Sequence, residues 1–479
     1  MTETVITDHH SPRVGPAVVD RIYTPGPAQV AYLVADPVAR AVAVIDPRRD
    51  IAVYLDWARD HDYRIVAVLE THIHADFVSG GPALAEATGA PLFASRIGCP
   101  HYQHTPLDDH NMVPIGTIAL EAIATPGHTP EHMAFLLRDE HGPPLAVFTG
   151  DALFVGEVGR PDLIGSAETE RLVHLLYHTI HHRLGALPAE TIVYPGHTAG
   201  SACGSQIGDA PDSTIGIELH SNYAFGVKRE DDFVAQVLER LSLPPTHYPT
   251  LKRVNLAGAA AMPEASANHL SPGDLVARQQ QGALVLDLRS PDAYGDGHIP
   301  NAIAVPDDPD FVAWAGWLDP YQRDLVLVVP DRDVLARAIL DLRRIGIDQP
   351  VGVLDDMEAW TAAGLPTVRL TSVNVAHLDR DLQDDRDLVV LDVRSDGEWA
   401  TGHIAHARHC FAGAIAQGAI PPISPDDPVA VICGSGYRST VAASLLFARG
   451  YINLRNVTGG MDAWNDAGLS LHHDDRIHA

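Results

Sequence analysis

The stretch THIHADFVSG, Thr71 to Gly80, decides how the first half of the chain is read. His72 and His74 stand two apart, Asp76 follows two later, and the next residue is Phe77. A histidine in that last place would make the run a site for two metals. Phenylalanine has no lone pair to donate, so a ligand of the second metal is missing. The preceding YRIVAVLE reads as a strand, which places the histidines just past a strand end, where loops carry function.

Working outward, the pattern recurs. QVAYLVAD and AVAVIDP read as a strand pair and DIAVYLDWARDHD as a helix. TIALEAIATPGHTPEHMAFLL is a strand, a loop with His128, and a strand. PLAVFTGDAL ends in Asp151, and ETIVYPGHT ends in His197 after Tyr194. Imidazole and carboxylate at neighbouring strand ends are ligand types for zinc or iron. FVGEVGRPDL, 154–163, brings Arg160 toward the same loops, and TAGSACG brings Cys203.

The chain has 479 residues, enough for several domains, and its 46 % hydrophobic content is ordinary for a globular protein. Its formal net charge of −29 argues against nucleic acid, whose binding rests on neutralising phosphates. Only Lys228 and Lys252 are lysines among the 33 basic residues. The first residues resemble no secretory signal and no long apolar run suggests a membrane span, so a cytoplasmic location is expected. The four cysteines, Cys99, Cys203, Cys410 and Cys433, have the spacing of neither a thiolate metal cluster nor a disulfide framework.

Beyond about residue 265 the text repeats. GALVLDLRSPDAYGDGHIPNAIAV (282–305) resembles DLVVLDVRSDGEWATGHIAHARHC (387–410), and LDDMEAWTAAGLP (354–366) resembles TGGMDAWNDAGLS (458–470). This is a tandem duplication of a small α/β domain with a parallel sheet. In the second copy Cys433 opens a tight loop, Gly434, Ser435, Gly436, Tyr437, Arg438 and Ser439, before the helix TVAASLLFARG. Backbone N–H groups and a helix N-terminus there lower a thiol pKa and cradle an anion, and Arg438 adds positive charge. In the first copy Val329 takes the cysteine's place, and Pro330, Asp331 and Asp333 follow, so it reads as an inactive spacer.

The first part resembles the metallo-β-lactamase superfamily, and within it the persulfide dioxygenases. The resemblance implies an αββα sandwich over residues 17–262. It also implies one ferrous iron per chain held by His72, His128 and Asp151. His74, Asp76 and His197 would stand behind these ligands, with Tyr194, Arg160 and Cys203 near the pocket; for Arg160 a salt bridge that fixes the loop is an equal reading. The GRPDL segment after Asp151 is similar to that family's loop. Residues 268–368 and 372–473 resemble rhodaneses, the first degenerate and the second active. Cdc25-type phosphatases share that fold, but the loop here, completed by the five residues Gly434 to Arg438, is shorter than theirs and favours sulfur transfer. Asp392 and Arg394 are expected to brace the fold.

The expected architecture is therefore a multidomain α/β and α+β protein. The resemblance implies oxidation of a small thiol persulfide, of glutathione, coenzyme A, bacillithiol or similar, by dioxygen to sulfite. Sulfur on Cys433 would give or use thiosulfate. A homo-oligomer is compatible with the sequence. Two other classes stay open: a binuclear thioester hydrolase of the glyoxalase II type, and a sulfur-carrier scaffold with a vestigial metal domain.

Overall fold

The computed structural model describes residues 13–138, 142–264, 266–349, 351–384 and 387–473. Two compact units emerge. One is Met1–Pro263 with Arg343–Gly346, and the other is Glu264–Leu342 with Ile347–Ala479.

The first unit holds two large sheets and a two-stranded ribbon, Leu153–Phe154 with Glu157–Val158. One has seven strands in sequence order: Arg13–Val14, Ala17–Thr24, Gln29–Asp36, Ala41–Ile45, Arg64–Leu69, Leu92–Ser95 and Thr105–Leu107. The other has six, ordered Ser213–Thr214, Ile192–Pro195, Pro144–Gly150, Met133–Arg138, Ile118–Ala124 and Met112–Ile115. Alternation along a strand sends successive side chains to opposite faces. In Gln29–Asp36, Val30, Tyr32 and Val34 join the core between the sheets, together with Leu120, Phe135 and Phe148. Ala31, Leu33 and Ala35 face the other way, against Tyr54 and Trp57 of the helix Ala52–Asp60. Every residue of that strand is buried, as expected where both faces of a sheet are covered. The outer face of the second sheet packs Ile123, Leu136 and Val147 on Val173, Leu176 and Phe233 from helices. The layers are thus helix, sheet, sheet, helix. The helix Ser166–His178 continues into a π-helical turn, Thr179–Leu184.

The second unit holds two five-stranded parallel sheets of one topology. The first runs Ala267–His269, Val351–Leu354, Leu325–Val328, Leu284–Asp287, Ile303–Ala304. The second runs Thr371–Asn374, Leu454–Thr458, Val429–Ile432, Val389–Asp392, Arg408–His409. The duplication read in the sequence is therefore a duplication of fold. Each copy braces its central strand alike. Arg394 bonds both oxygens of the buried Asp392 and the Gly402 carbonyl, and Arg289 does the same with Asp287 and Gly297. The copies also touch. Ala304 N–H donates to Ser444 Oγ at 3.0 Å, and Tyr437 O–H donates to the Pro306 carbonyl at 3.1 Å. The first copy is therefore packed on the second's Cys433-bearing half, which the spacer reading does not anticipate.

Candidate metal centre and sulfur-transfer loop

Strand ends deliver the candidate ligands. His72 follows Arg64–Leu69, His128 lies between Ile118–Ala124 and Met133–Arg138, and Asp151 follows Pro144–Gly150. The three form a buried group whose ligand atoms all lie within 4.8 Å of one another. His72 Nε2 stands 3.9 Å and His128 Nε2 3.5 Å from Asp151 Oδ2. Neither His72 Nε2 nor Asp151 Oδ2 has a hydrogen-bond partner. Buried polar atoms are almost always bonded, so two orphans facing one another fit a cation between them.

The surroundings prepare these atoms. His72 Nδ1 meets Thr71 Oγ1 at 2.9 Å, and that hydroxyl donates to Asp46 Oδ2 at 2.8 Å. This chain puts the proton on Nδ1 and leaves Nε2 its lone pair. Burial, then the neighbouring charges of His74 and His128, holds the His72 pKa well below the ordinary histidine value, so the ring is neutral, as a ligand must be. His197 Nδ1 lies 2.8 Å from Asp151 Oδ1 and its Nε2 2.6 Å from Asp76 Oδ2. Burial opposes its charge, but the carboxylates of Asp151 and Asp76 push its pKa up to about 10. Burial likewise opposes the charge of Asp151, yet His197 holds that carboxyl well below the usual range.

His74 is turned away. Its Nε2 lies 3.2 Å from both Asp46 Oδ1 and Glu70 Oε2, and against the cost of burial these raise its pKa well above the ordinary value. Phe77 is buried with its ring centroid 4.4 Å from that of His74. Asp76, His197 and Cys203 come together as a second buried group. There the Cys203 thiol sits 3.8 Å from the Tyr248 hydroxyl, its pKa raised well above normal by burial.

Two further placements bear on the reading from sequence. Arg160 is only 4 % exposed and spends its donors on Asp162, the Ala202 carbonyl and the Ser242 carbonyl, so it ties loops together. Tyr194 does not line the site. Its ring stacks on Phe148 at 5.2 Å within the core between the sheets, because strand alternation turns it there while Val193 faces outward. The glycine of the GRPDL segment has a steric reason. A Cβ on Gly159 would stand 1.8 Å from the Asp151 carbonyl oxygen. Sequence reasoning missed Asp46, Thr71 and His132. His132 Nε2 accepts the Asp151 N–H at 3.0 Å and its Nδ1 meets Thr125 Oγ1 at 2.8 Å, while burial lowers its pKa to about 3. Its place in the run GHTPEH, four residues after His128, was the available signal.

In the second unit, Cys433 follows the strand Val429–Ile432 and is fully buried. Gly436 N–H points at its sulfur, 3.1 Å away, and Ser439 Oγ lies 3.4 Å from it. Gly434, Ser435 and Gly436 form the turn, and Tyr437 begins the helix Tyr437–Phe447. The loop presses on Gly460, where a Cβ would stand 2.2 Å from the Gly434 carbonyl oxygen. Arg438 is less free than its place in the sequence suggests. Nη1 and Nη2 each lie 2.6 Å from an oxygen of Glu398. A cleft of about 630 Å³ opens beside Ser435, Gly436 and Tyr437, and its opposite wall includes Asp307, Asp308 and Pro330 of the first copy.

A buried two-histidine, one-carboxylate group on an αββα sandwich, followed by a cysteine loop on a parallel sheet, defines a metal-binding protein fused to a sulfur-transfer fold. Comparison with known proteins agrees. The Metallo-beta-lactamase superfamily model matches residues 24–197, and the Rhodanese-like domain model matches 271–363 and 375–467. The chain is 31 % identical to "Persulfide dioxygenase ETHE1, mitochondrial" of Bos taurus over 192 residues, 39 % of this chain and 71 % of that protein. It is 31 % identical to the protein of that name from Homo sapiens over 38 % of this chain and 68 % of that one. A solved metallo-beta-lactamase from Staphylococcus aureus subsp. aureus COL matches with 30 % identity and a TM-score of 0.66, over 71 % of this chain and 99 % of that one. The chain therefore belongs to the ETHE1 persulfide dioxygenase family of the metallo-β-lactamase superfamily, and carries two rhodanese-like domains. No helix among the described residues is long and apolar enough to cross a membrane.

Proposed function

We propose that the chain oxidises a low-molecular-weight persulfide with dioxygen at one iron held by His72, His128 and Asp151, and that Cys433 moves sulfur to or from thiosulfate. The carrying observation is the pair of unbonded ligand atoms, His72 Nε2 and Asp151 Oδ2, in a site where His197 is bonded through both ring nitrogens and His74 Nε2 is held by Asp46 and Glu70. Two histidines and one carboxylate are the ligand set of oxygen-using non-haem iron, which when bound supplies dioxygen activation and open positions for a substrate sulfur. One persulfide, one dioxygen and one water balance one thiol, one sulfite and two protons.

The protein's own part is to hold this set. Thr71 and Asp46 keep the proton on His72 Nδ1, and His197 keeps Asp151 ionised. A binuclear hydrolase is disfavoured because Phe77 offers no ligand and His74 is held by Asp46 and Glu70. At the second site the Cys433 thiolate attacks the outer sulfur of thiosulfate. The sulfur–sulfur bond breaks, sulfite leaves with its electron pair, and the cysteine carries a persulfide. The reverse step makes thiosulfate. The Gly436 N–H is placed to steady the charged sulfur, while the Ser439 hydroxyl beside it donates to Asn456 Oδ1 at 2.6 Å.

The test is anaerobic loading with ferrous iron, then oxygen uptake on glutathione and coenzyme A persulfides with sulfite and thiosulfate measured. Cys433→Ser is expected to abolish sulfur transfer, keep oxygen uptake, and shift the product from thiosulfate to sulfite. No oxygen uptake by the iron-loaded chain on any persulfide would sink the reading.

A further inference from the structure

The helix Tyr248–Ala257 packs one face on the metal loops. Tyr248, Lys252 and Asn255 lie a turn apart, at the i, i+4 and i, i+3 spacings that share a helix face. Tyr248 O–H reaches Cys203. Asn255 Nδ2 donates to the carbonyls of His74 at 2.8 Å and Phe77 at 2.7 Å. Between these anchors stands Lys252, whose Nζ is buried and has no hydrogen-bond partner. Its charge is felt by both His72 and His128. Burial lowers the Lys252 pKa from its ordinary value; Glu131 opposes this, but Glu131 Oε1 already accepts the Ile73 N–H at 3.2 Å.

A buried, unpaired ammonium is costly unless an anion joins it. The chain has two lysines and a net charge of −29, and one of the two is buried on the helix that Asn255 ties to the His74–Phe77 loop. A persulfide is a stronger acid than its parent thiol and enters largely as R–S–S⁻. We propose that Lys252 binds the anionic sulfur end of the substrate beside His72 and His128, and so selects charged sulfur for the metal centre. This rests on the persulfide reading of the site and adds the residue that recognises the substrate's charge.

The test uses the full chain loaded with iron under argon. The binding probes are 2-mercaptoethanol, whose only readily ionised group is its thiol, and reduced glutathione, which also carries carboxylates. Calorimetry is expected to show both bound about ten- to a hundredfold more weakly by Lys252→Met, the range of one charge-assisted hydrogen bond. Lys252→Arg should recover most of that loss, and metal content should stay unchanged. With mercaptoethanol persulfide, KM should rise more than kcat falls. Unchanged binding of both probes overturns the proposal. Weakening of glutathione alone also overturns it, because Lys252 would then read a carboxylate. Should the methionine variant not fold or hold iron, Lys252→Gln carries the same comparison. Absence of oxygen uptake by the unsubstituted chain would defeat the persulfide reading, while thiol binding would still decide the role of Lys252.

Discussion

His197 gives its Nδ1 to Asp151 Oδ1 at 2.8 Å and leaves Oδ2 of the same carboxylate unbonded. The histidine thus aims the aspartate without occupying its free oxygen. Partners behind a ligand typically change metal affinity ten- to a hundredfold. His197→Ala is therefore expected to weaken iron binding by about that factor while still saturating at one metal per chain. His72→Ala, His128→Ala and Asp151→Ala should not retain iron through dialysis. Metal analysis after dialysis against graded chelator separates the two classes. Retention of iron by His128→Ala would show that the ligand set is wrongly chosen.

The ligand candidates were legible because each stands just past a strand end, His128 and Asp151 directly after a glycine. What supports them was not, because it is assembled across the sheet. Asp46 closes one strand and Thr71 follows its neighbour, and only the pairing of Ala41–Ile45 with Arg64–Leu69 brings them to 2.8 Å. Tyr194 misled because closeness to His197 in sequence says nothing of which face a strand residue takes. Arg438 looked like a free cation because Glu398 lies 40 positions earlier. The repeat was fully visible, since duplicated text preserves spacing.

Phe77→His tests how far the missing ligand explains the site. Restoring the histidine is expected not to create a second tight metal. His74 lies between Asp46 and Glu70, and His197 is bonded through both ring nitrogens. The measurement is bound metal per chain after loading with excess iron or zinc. Two tightly held metals in this variant would mean that those hydrogen bonds yield readily and that Phe77 alone sets the count.

The Glu398–Arg438 pair makes a pH prediction. Burial opposes the charge on Glu398, but Arg438 holds its pKa at about 2 against an ordinary 4.5. A depressed carboxyl stabilises fully above its unfolded pKa, and the contribution is lost as pH falls through the folded value. Relative to Glu398→Gln, the unsubstituted chain should keep a constant advantage above about pH 5, which fades toward pH 2. Its size should not exceed about 1 kcal/mol, because the pair is partly open to water, at 38 % for Glu398 and 26 % for Arg438. Hydrogen exchange of the segment that begins at Cys433 reads the difference. An equal advantage at pH 7 and near pH 2 would show that the pair's ionisation is not its source.

The first repeat allows a test of what its loop lost. Val329 occupies the place of Cys433, at the end of the strand Leu325–Val328. Pro330 next to it has no N–H to offer. Asp331 then fills the cradle itself, with Oδ1 accepting the N–H groups of Asp333 and Val334, each at 2.9 Å. In the second repeat the corresponding turn instead directs the Gly436 N–H at the cysteine sulfur. An incoming thiosulfate would meet a carboxylate already bonded where it needs free donors, and like charges repel more strongly at partly buried sites than in open water. Val329→Cys in a Cys433→Ser background is therefore expected to transfer no sulfur from thiosulfate to a thiol. Replacing residues 329–334 with the second repeat's CGSGYR removes Pro330 and Asp331 together and should give measurable transfer. Mass spectrometry should then find one added sulfur atom on the new cysteine. Transfer by Val329→Cys alone would show that the loop had stayed competent and that only the nucleophile was lost.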